Sequence, residues 1–259
     1  MDHIKIIFFD VDGTLIDMNK KKISDKIIDT LRQLKKRNIL LCIATGRSPI
    51  ALPHFDEVVF DAFLTFNGSY CFNKADTIHK DPIPLSDVSK IIENSSKLNR
   101  PVAVATSEKT IANGKDDDLV EYFSFAHQQI DVAEDFDIII NNDEIYQLML
   151  SSRKEDYSKI MKNTTSSKIT AWWDRAVDII PASSGKGTGI AKILDYYGLN
   201  KSEALAFGDG NNDIEMLEAV GWGIAMDNAS DELKTVADEV IGHVADDGIY
   251  HFCSEHDLV

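Results

Sequence analysis

Ile4-Lys5-Ile6-Ile7 reads as a buried strand, and it runs straight into Phe8-Phe9-Asp10-Val11-Asp12-Gly13-Thr14-Leu15. An apolar, β-branched run that stops on acids constrains the fold more than any other stretch of this chain. In a parallel α/β sheet, ligands bind at the carboxyl ends of the strands. Two carboxylates one residue apart repel each other, and a folded protein seldom holds them in a crevice without a cation. Asp10 and Asp12 therefore read as the centre of a metal-assisted site, with Gly13 permitting the tight turn that follows. The bland alternative is a solvated strand-to-loop junction, and the rest of the chain decides between the two.

From Ser24-Asp25 a helical pattern begins. Ile27, Ile28, Leu31 and Leu34 share one face, and Lys35-Lys36-Arg37 occupy the last turn, where cations favour the helix dipole. Ile39 to Ala44 is a second apolar strand, so strand, helix and strand form a βαβ unit, parallel by the usual rule. This second strand also ends in a polar cluster, Thr45-Gly46-Arg47. Phe63 to Phe66 is a third strand candidate, and Asn67-Gly68 predicts a tight turn into a hairpin through Tyr70 to Phe72 and Thr77 to His79.

Between about Pro82 and Ile180 the pattern changes to mixed α and β. Helices are expected over Asp87 to Leu98, Asp117 to Phe125 and Glu155 to Lys162. Strands are expected over Pro101 to Ala105, Thr110 to Ala112 and Tyr146 to Leu150, with a hairpin of Ile169 to Trp173 and Ala176 to Ile180. Such a stretch predicts a second domain inserted into the α/β core. The core resumes with a helix from Lys186 to Tyr197 and a strand, Ala204 to Phe207, that ends at Gly208-Asp209-Gly210-Asn211-Asn212-Asp213. Strand-like and helix-like segments then alternate over Trp222 to Met226, Asp231 to Val236 and Glu239 to Ile241.

Composition bounds the partners. The 259 residues are 44% hydrophobic, enough for a sizeable core, and carry a net charge of -16. That balance argues against nucleic acid or an anionic membrane as partner, since both need a positive field. A small anionic substrate stays possible if positive charge is concentrated at the site. Three scattered cysteines, with no C-x-x-C, suggest neither disulfides nor zinc, and Cys42 reads as a core thiol. No signal peptide or membrane span is evident, so a soluble cytoplasmic protein is expected.

Three strand ends thus carry polar clusters, and Lys186 opens the helix before the last of them. D-x-D-G-T, a strand ending in Thr, a Lys, and G-D-x-x-N-D in this order resemble the haloacid dehalogenase superfamily. Within it, S-S-G-K-G-T-G-I with G-D-G-N-N-D-I-E-M is similar to the Cof-type sugar phosphatases, and A-T-G-R and T-F-N-G match as well. The resemblance implies a Rossmann-like parallel-sheet core at 1–81 and 183–259. It also implies an α+β cap at 82–182 that contacts the leaving part of the substrate and sets specificity.

It further implies hydrolysis of small phosphate monoesters, most readily sugar phosphates, through a phosphorylated Asp10. Asp12 would be general acid and then general base; dehalogenases proper lack this second Asp, so its presence favours phosphoryl transfer. Attack by a carboxylate on a phosphate dianion must overcome roughly 4 kcal/mol for each unit-charge pair about 4 Å apart at an effective dielectric of about 20. One Lys cannot offset several such pairs, and an all-oxygen site suits Mg²⁺. The implied ligands are the Asp10 and Asp209 carboxylates and the Asp12 carbonyl. Asp213 belongs to the same metal group, as an outer partner orienting Lys186 or a metal-bound water. Thr45, Gly46, Lys186 and Asn212 would hold the phosphate. Arg47 is a further candidate there, or a surface residue at a helix start. Asp178, at the family's acidic position in the strand before Lys186, would hydrogen-bond a sugar hydroxyl.

Other features read more plainly. Ser183 to Thr188 is not a nucleotide P-loop, because Ile180 and Gly187 stand where that motif needs Gly and Ser or Thr. Trp172 and Trp173 invite sugar stacking, yet neighbours on a strand point oppositely, and a core aromatic is the simpler reading. Lys115-Asp116-Asp117-Asp118 reads as a solvated loop before a helix. The histidines show no ligand spacing. A phosphomutase, a phosphatase of another metabolite, a catalytically silent phosphate sensor and a receiver-like phospho-aspartate domain remain the rival functions.

Overall fold

The computed structural model describes residues 3–20, 22–55, 57–125, 128–171 and 173–259. In chain order the elements are β1 (Ile6–Phe9), α1 (Asp25–Lys36), β2 (Leu40–Ala44), β3 (Ala62–Thr65), β4 (Tyr70–Phe72), β5 (Thr77–Lys80), α2 (Leu85–Ser96), β6 (Ala103–Ala105), β7 (Thr110–Ala112) and α3 (Asp117–Phe125). They continue with α4 (Phe136–Asn142), β8 (Gln147–Ser151), α5 (Tyr157–Ile160), β9 (Ser167–Thr170), β10 (Ala176–Pro181), α6 (Lys186–Tyr197), β11 (Ala204–Gly208), α7 (Ile214–Ala219), β12 (Trp222–Met226), α8 (Asp231–Val236), β13 (Glu239–Ile241) and α9 (Gly248–Glu255).

Two compact units divide the chain. One comprises Met1–Gly46, His54–His79 and Gly185–Val259; the other comprises Arg47–Pro53 and Lys80–Ser184. The first is built on a sheet of order β13-β12-β11-β1-β2-β3-β4-β5. Its strands from β13 to β3 run parallel, and β4 pairs antiparallel with β3. Alternation along β1 explains the two layers. Phe8 packs with Cys42, Ile190, Ile193 and Met216 on the side of α6 and α7. Phe9 points the other way, stacks on Phe207 at 5.5 Å, and Phe207 meets Phe252 of α9 at 5.4 Å. The β1 strand is buried throughout, as a strand covered on both faces must be.

On α1, Ser24 caps the amino end by accepting from Ile27 N at 3.2 Å, and Ile27, Thr30, Leu31 and Leu34 are buried. Ile28, expected on that face, is only half-buried, and Thr30 takes its place. The hairpin expected at Asn67-Gly68 is present: β3 and β4 pair antiparallel, and residues 66–69 form the four-residue loop between Thr65 and Tyr70. Phe66, Asn67 and Gly68 have φ of 51°, 52° and 101°.

The second unit carries an antiparallel sheet of order β7-β6-β8-β10-β9. One face packs Val104, Leu148, Leu150, Val177 and Ile179 against Val88 and Ile91 of α2 and Ile139 of α4. Helix α4 was not anticipated; its apolar run suits strand and helix equally, and Asp135 at its N-cap makes no side-chain capping hydrogen bond. Strand β9 ends at Thr170, so Trp173 lies in the bend before β10 and not on a strand. There it meets Phe125 edge-on at 5.1 Å, with the Arg175 guanidinium 4.2 Å above its ring. Trp172 lies outside the described residues. The acids before α3 are not a solvated run: Asp116 accepts from Leu119 N at 2.9 Å, and Asp118 pairs with Arg153 and Arg175 at 2.9 and 3.2 Å. Only Asp117 stays exposed.

Candidate active site

Strand register assembles the site. Phe9 lies opposite Phe207 on β11 and opposite Ile43 on β2. The residues just past each strand are therefore neighbours: Asp10 after β1, Asp209 after β11, Thr45 after β2. Asp10 N donates to Phe207 O at 3.0 Å, extending the ladder one step beyond β1. Parallel strands run about 4.8 Å apart, so acids at adjacent strand ends are forced together. Asp10, Asp209 and Asp213 each offer a carboxylate oxygen within 4.8 Å of the others.

The loop after β1 closes on itself, with Gly13 N donating to Ile16 O at 2.8 Å and Ile16 N to Val11 O at 2.8 Å. Gly13 has φ +91°, and a Cβ there would lie 2.2 Å from Asp209 Oδ2, so the loop passes directly over the Asp209 carboxylate. Thr14 Oγ1 donates to Asp209 Oδ1 at 2.8 Å, and Asn228 Nδ2 donates to Gly13 O at 2.7 Å. Asp12 sits on this loop, bridged to Ile16, and its charge is felt at both Asp10 and Asp209.

Lys186, the first residue of α6, is 1% exposed, and its Nζ donates to Asp10 Oδ1 at 2.7 Å and to Asp213 Oδ1. Asp213 Oδ2 accepts from Asp209 N and Gly210 N, both at 2.9 Å. Both oxygens of Asp213 are thus engaged by protein donors, and its carboxylate anchors Lys186 and the turn after β11. Burial pushes Asp10 well above the usual carboxylate range; Lys186 opposes the shift, while Asp213, Asp209 and Asp12 add to it. Asp209 is pushed up to about 7 by burial and by Asp213, against the Thr14 hydrogen bond. Burial disfavours the Lys186 ammonium, but Asp10 and Asp213 together raise it above the ordinary lysine value. The ionised cluster of three carboxylates and one ammonium carries an excess of two negative charges in a desolvated pocket. Its donors are all oxygen, and this is a setting that fits a divalent cation.

Thr45 is buried, and its N–H donates to Leu64 O at 2.9 Å. Its carbonyl accepts from Asn67 N at 3.0 Å, Gly46 lies against the Asn67 amide, and Asn212 Nδ2 donates to Asn67 Oδ1 at 3.2 Å. Thr45, Gly46 and Asn212 are therefore joined through a residue that sequence reasoning treated only as turn chemistry. Its signal was present: Asn, here two residues past the end of β3, is among the non-glycine residues most at ease with positive φ. Thr14 and Asn228 were also overlooked.

Arg47 and Asp178 belong to the second unit. The Arg47 guanidinium donates to Ala51 O at 2.9 Å. Asp178, on β10, is 4% exposed and accepts from Tyr122 OH; burial raises its carboxyl to about 7, against the hydrogen bonds from Tyr122 and Gln147.

The acid-lined carboxyl edge of a parallel sheet, with a buried lysine between two aspartates, defines a phosphoryl-transfer hydrolase of the α/β class. A sequence model of the haloacid dehalogenase-like hydrolases matches residues 7–253, and the chain belongs to that family, in its Cof-type branch. It is a phosphatase of that family. The Bacillus subtilis protein named "Putative phosphatase YkrA" is 30% identical over 98% of both chains. The 5-amino-6-(5-phospho-D-ribitylamino)uracil phosphatase YitU of the same organism is 26% identical over 97% of both. Among solved structures, BT1666 from Bacteroides thetaiotaomicron, described with the phosphatases of this superfamily, matches at a TM-score of 0.91. It is 31% identical, with 100% of this chain and 97% of that one covered. The subclass IIB sugar phosphatase BT4131 matches at 0.88 with 26% identity, covering 98% and 100%. Among the described residues no helix is long and apolar enough to cross a membrane.

Proposed function

We propose that the protein catalyses Mg²⁺-dependent hydrolysis of small phosphate monoesters, phosphorylated sugars foremost, through a phosphorylated Asp10. The observation that carries this reading is Lys186 set between Asp10 and Asp213, with Asp209 beside them. Uncompensated, three clustered acids around one ammonium would repel each other and a phosphate dianion. Asp10, Asp209 and the Asp12 carbonyl would hold the metal, with Asp213 outside that set because Lys186 and two backbone N–H groups already occupy its oxygens. When bound, the ion neutralises charge between the nucleophile and the phosphoryl oxygens.

The chain's own groups do the rest. Lys186, Thr45 and the Gly46 backbone orient the phosphoryl group, with Asn212 a further donor. An Asp10 oxygen attacks phosphorus as the bond to the leaving oxygen breaks, and Asp12 delivers a proton to that oxygen. Asp12 then takes a proton from water as the water attacks phosphorus, and the Asp10–phosphorus bond breaks to release phosphate. The inserted stretch, residues 82–182 on the sequence reading, would act as the cap that reads the leaving group, with Asp178 as a candidate contact, and Arg47 stays a candidate for the phosphate. Support for sugar phosphates comes from the likeness to BT4131, described as a sugar phosphatase.

The test is turnover of p-nitrophenyl phosphate with and without EDTA, followed by a panel of phosphorylated sugars, nucleotides and cofactors. Activity lost in EDTA and restored by Mg²⁺ is the expected result. Full turnover by Asp10→Ala would remove the nucleophile assignment. Transfer of phosphate to a second sugar would replace hydrolysis with mutase chemistry.

A further inference from the structure

We infer that Asn67 is a positioning residue for phosphate binding: its side chain fixes which end of the Asn212 amide faces the substrate, and its backbone braces Thr45. The inference rests on the reading above that Asn212 donates to the substrate phosphate.

Asn67 is 4% exposed and has φ 52° and ψ 33°, in the left-handed region. Its N–H donates to Thr45 O at 3.0 Å, so the loop after β3 is tied to the end of β2. Its Oδ1 accepts from Asn212 Nδ2 at 3.2 Å, a contact spanning 145 residues. A Cβ on Gly46 would lie 3.1 Å from Asn67 Nδ2 and 3.2 Å from Oδ1, so the two residues touch with no room between them. The neighbouring Gly68 has φ +101°, and a Cβ there would sit 2.1 Å from Gly185 O, directly before Lys186. One short loop thus abuts three of the segments that carry phosphate-binding groups.

The amide chemistry gives Asn67 a specific task. Asn212 can present either a carbonyl oxygen or an NH₂ group, and only the NH₂ end can hydrogen-bond a phosphate oxygen. An acceptor placed at Asn67 Oδ1 engages one Nδ2–H and leaves the second available. The Asn212 Oδ1 atom, meanwhile, lies back over Gly210, 2.5 Å from where a Cβ would stand. Without that acceptor the Asn212 amide is free to rotate, and its carbonyl would repel the phosphate.

The test is a double-mutant cycle. Asn67→Gly keeps the positive φ without strain and removes only the side chain. Its melting temperature should stay near that of the parent, while kcat/KM should fall roughly tenfold, mainly through KM, as expected for one lost hydrogen-bonded positioning contact. In an Asn212→Ala background the same substitution should cost nothing further. Asn67→Asp keeps the acceptor but sets a negative charge near the phosphate, so KM should rise more than in the glycine variant and more steeply at low ionic strength. Additive losses in the cycle, or an unchanged KM in Asn67→Gly, would overturn the inference while leaving the reaction intact. A silent Asn212→Ala would remove both the inference and the phosphate role of Asn212.

Discussion

Lys186 Nζ lies 2.7 Å from Asp10 Oδ1, although 176 residues separate the two along the chain. Neither group is at ease where it stands. Burial pushes Asp10 toward its neutral form, with Asp213 adding to that push and Lys186 opposing it; burial also opposes the charge on Lys186, which Asp10 and Asp213 together hold in place. A contact between buried opposite charges is strong only as long as both partners remain.

Lys186→Met should therefore destabilise the protein by about 3–5 kcal/mol, the usual cost of leaving a buried charge without its partner. Because Asp10, already raised by burial, can escape that cost by taking up a proton, the variant should regain stability on acidification while the parent does not. Melting curves at several pH values check this. Equal melting temperatures at neutral pH would show that the lysine is not the counter-charge the geometry suggests.

Binding of Mg²⁺ should strengthen with pH. The Asp209 carboxyl is raised to about 7, so below that value a cation must displace a proton. Since the folded value lies above the ordinary one, this group's contribution to metal-free stability is present at low pH and lost as pH rises through about 7. The gain in melting temperature on adding MgCl₂ should be larger at about pH 8 than at about pH 6. In Asp209→Asn both the gain and its pH dependence should shrink.

Gly13→Ala should impair catalysis far more than folding. The new Cβ would stand 2.2 Å from Asp209 Oδ2 on a backbone of φ +91°. Relief requires the loop carrying Asp12 or the Asp209 carboxylate to move, and a displacement of about 1 Å at a reacting centre can cost roughly a hundredfold in rate. Steady-state kinetics against circular dichroism separates the two effects; parent-level kcat would contradict the close approach.

Asp178→Asn should stabilise the protein increasingly as pH rises. Burial holds the Asp178 carboxyl at about 7, so its neutral form is the one the fold accommodates. The parent loses stability from this group between the ordinary carboxylate value and about 7, at up to roughly 1.4 kcal/mol per pH unit. Asn keeps an acceptor for Tyr122 and has no proton to lose. Thermal melts of both proteins should converge at acid pH, diverge as pH rises from the ordinary carboxylate range to about 7, and keep a constant separation above it; curves parallel over the whole range would refute it.

The local pattern made much of this legible. Strands ending on Asp10, Thr45 and Asp209 were readable because apolar runs and polar stops are adjacent in the chain. Lys186 opening a helix after an inserted stretch was equally plain, and α1, α3, α6 and β12 lie where periodicity placed them. The hairpin at Asn67-Gly68 was legible, but the Asn-Gly signal does not give the length of the loop or the positive φ at Phe66. The acids at Asp116 and Asp118 were misread because their partners, Ser151, Arg153 and Arg175, lie far along the sequence, at or beside the ends of β8 and β10.

The sequence alone therefore determined that acids and phosphate-binding groups stand at the ends of parallel strands, since burial periodicity and strand termination are local properties of the chain. Tertiary structure alone decided that Asp213 serves Lys186, that Thr14 and Gly13 press on Asp209, and that Asn67 meets Asn212. Those relations depend on register between strands and on loops closing within an ångström of one another. Both are set by how whole layers pack, and no short stretch of sequence encodes that.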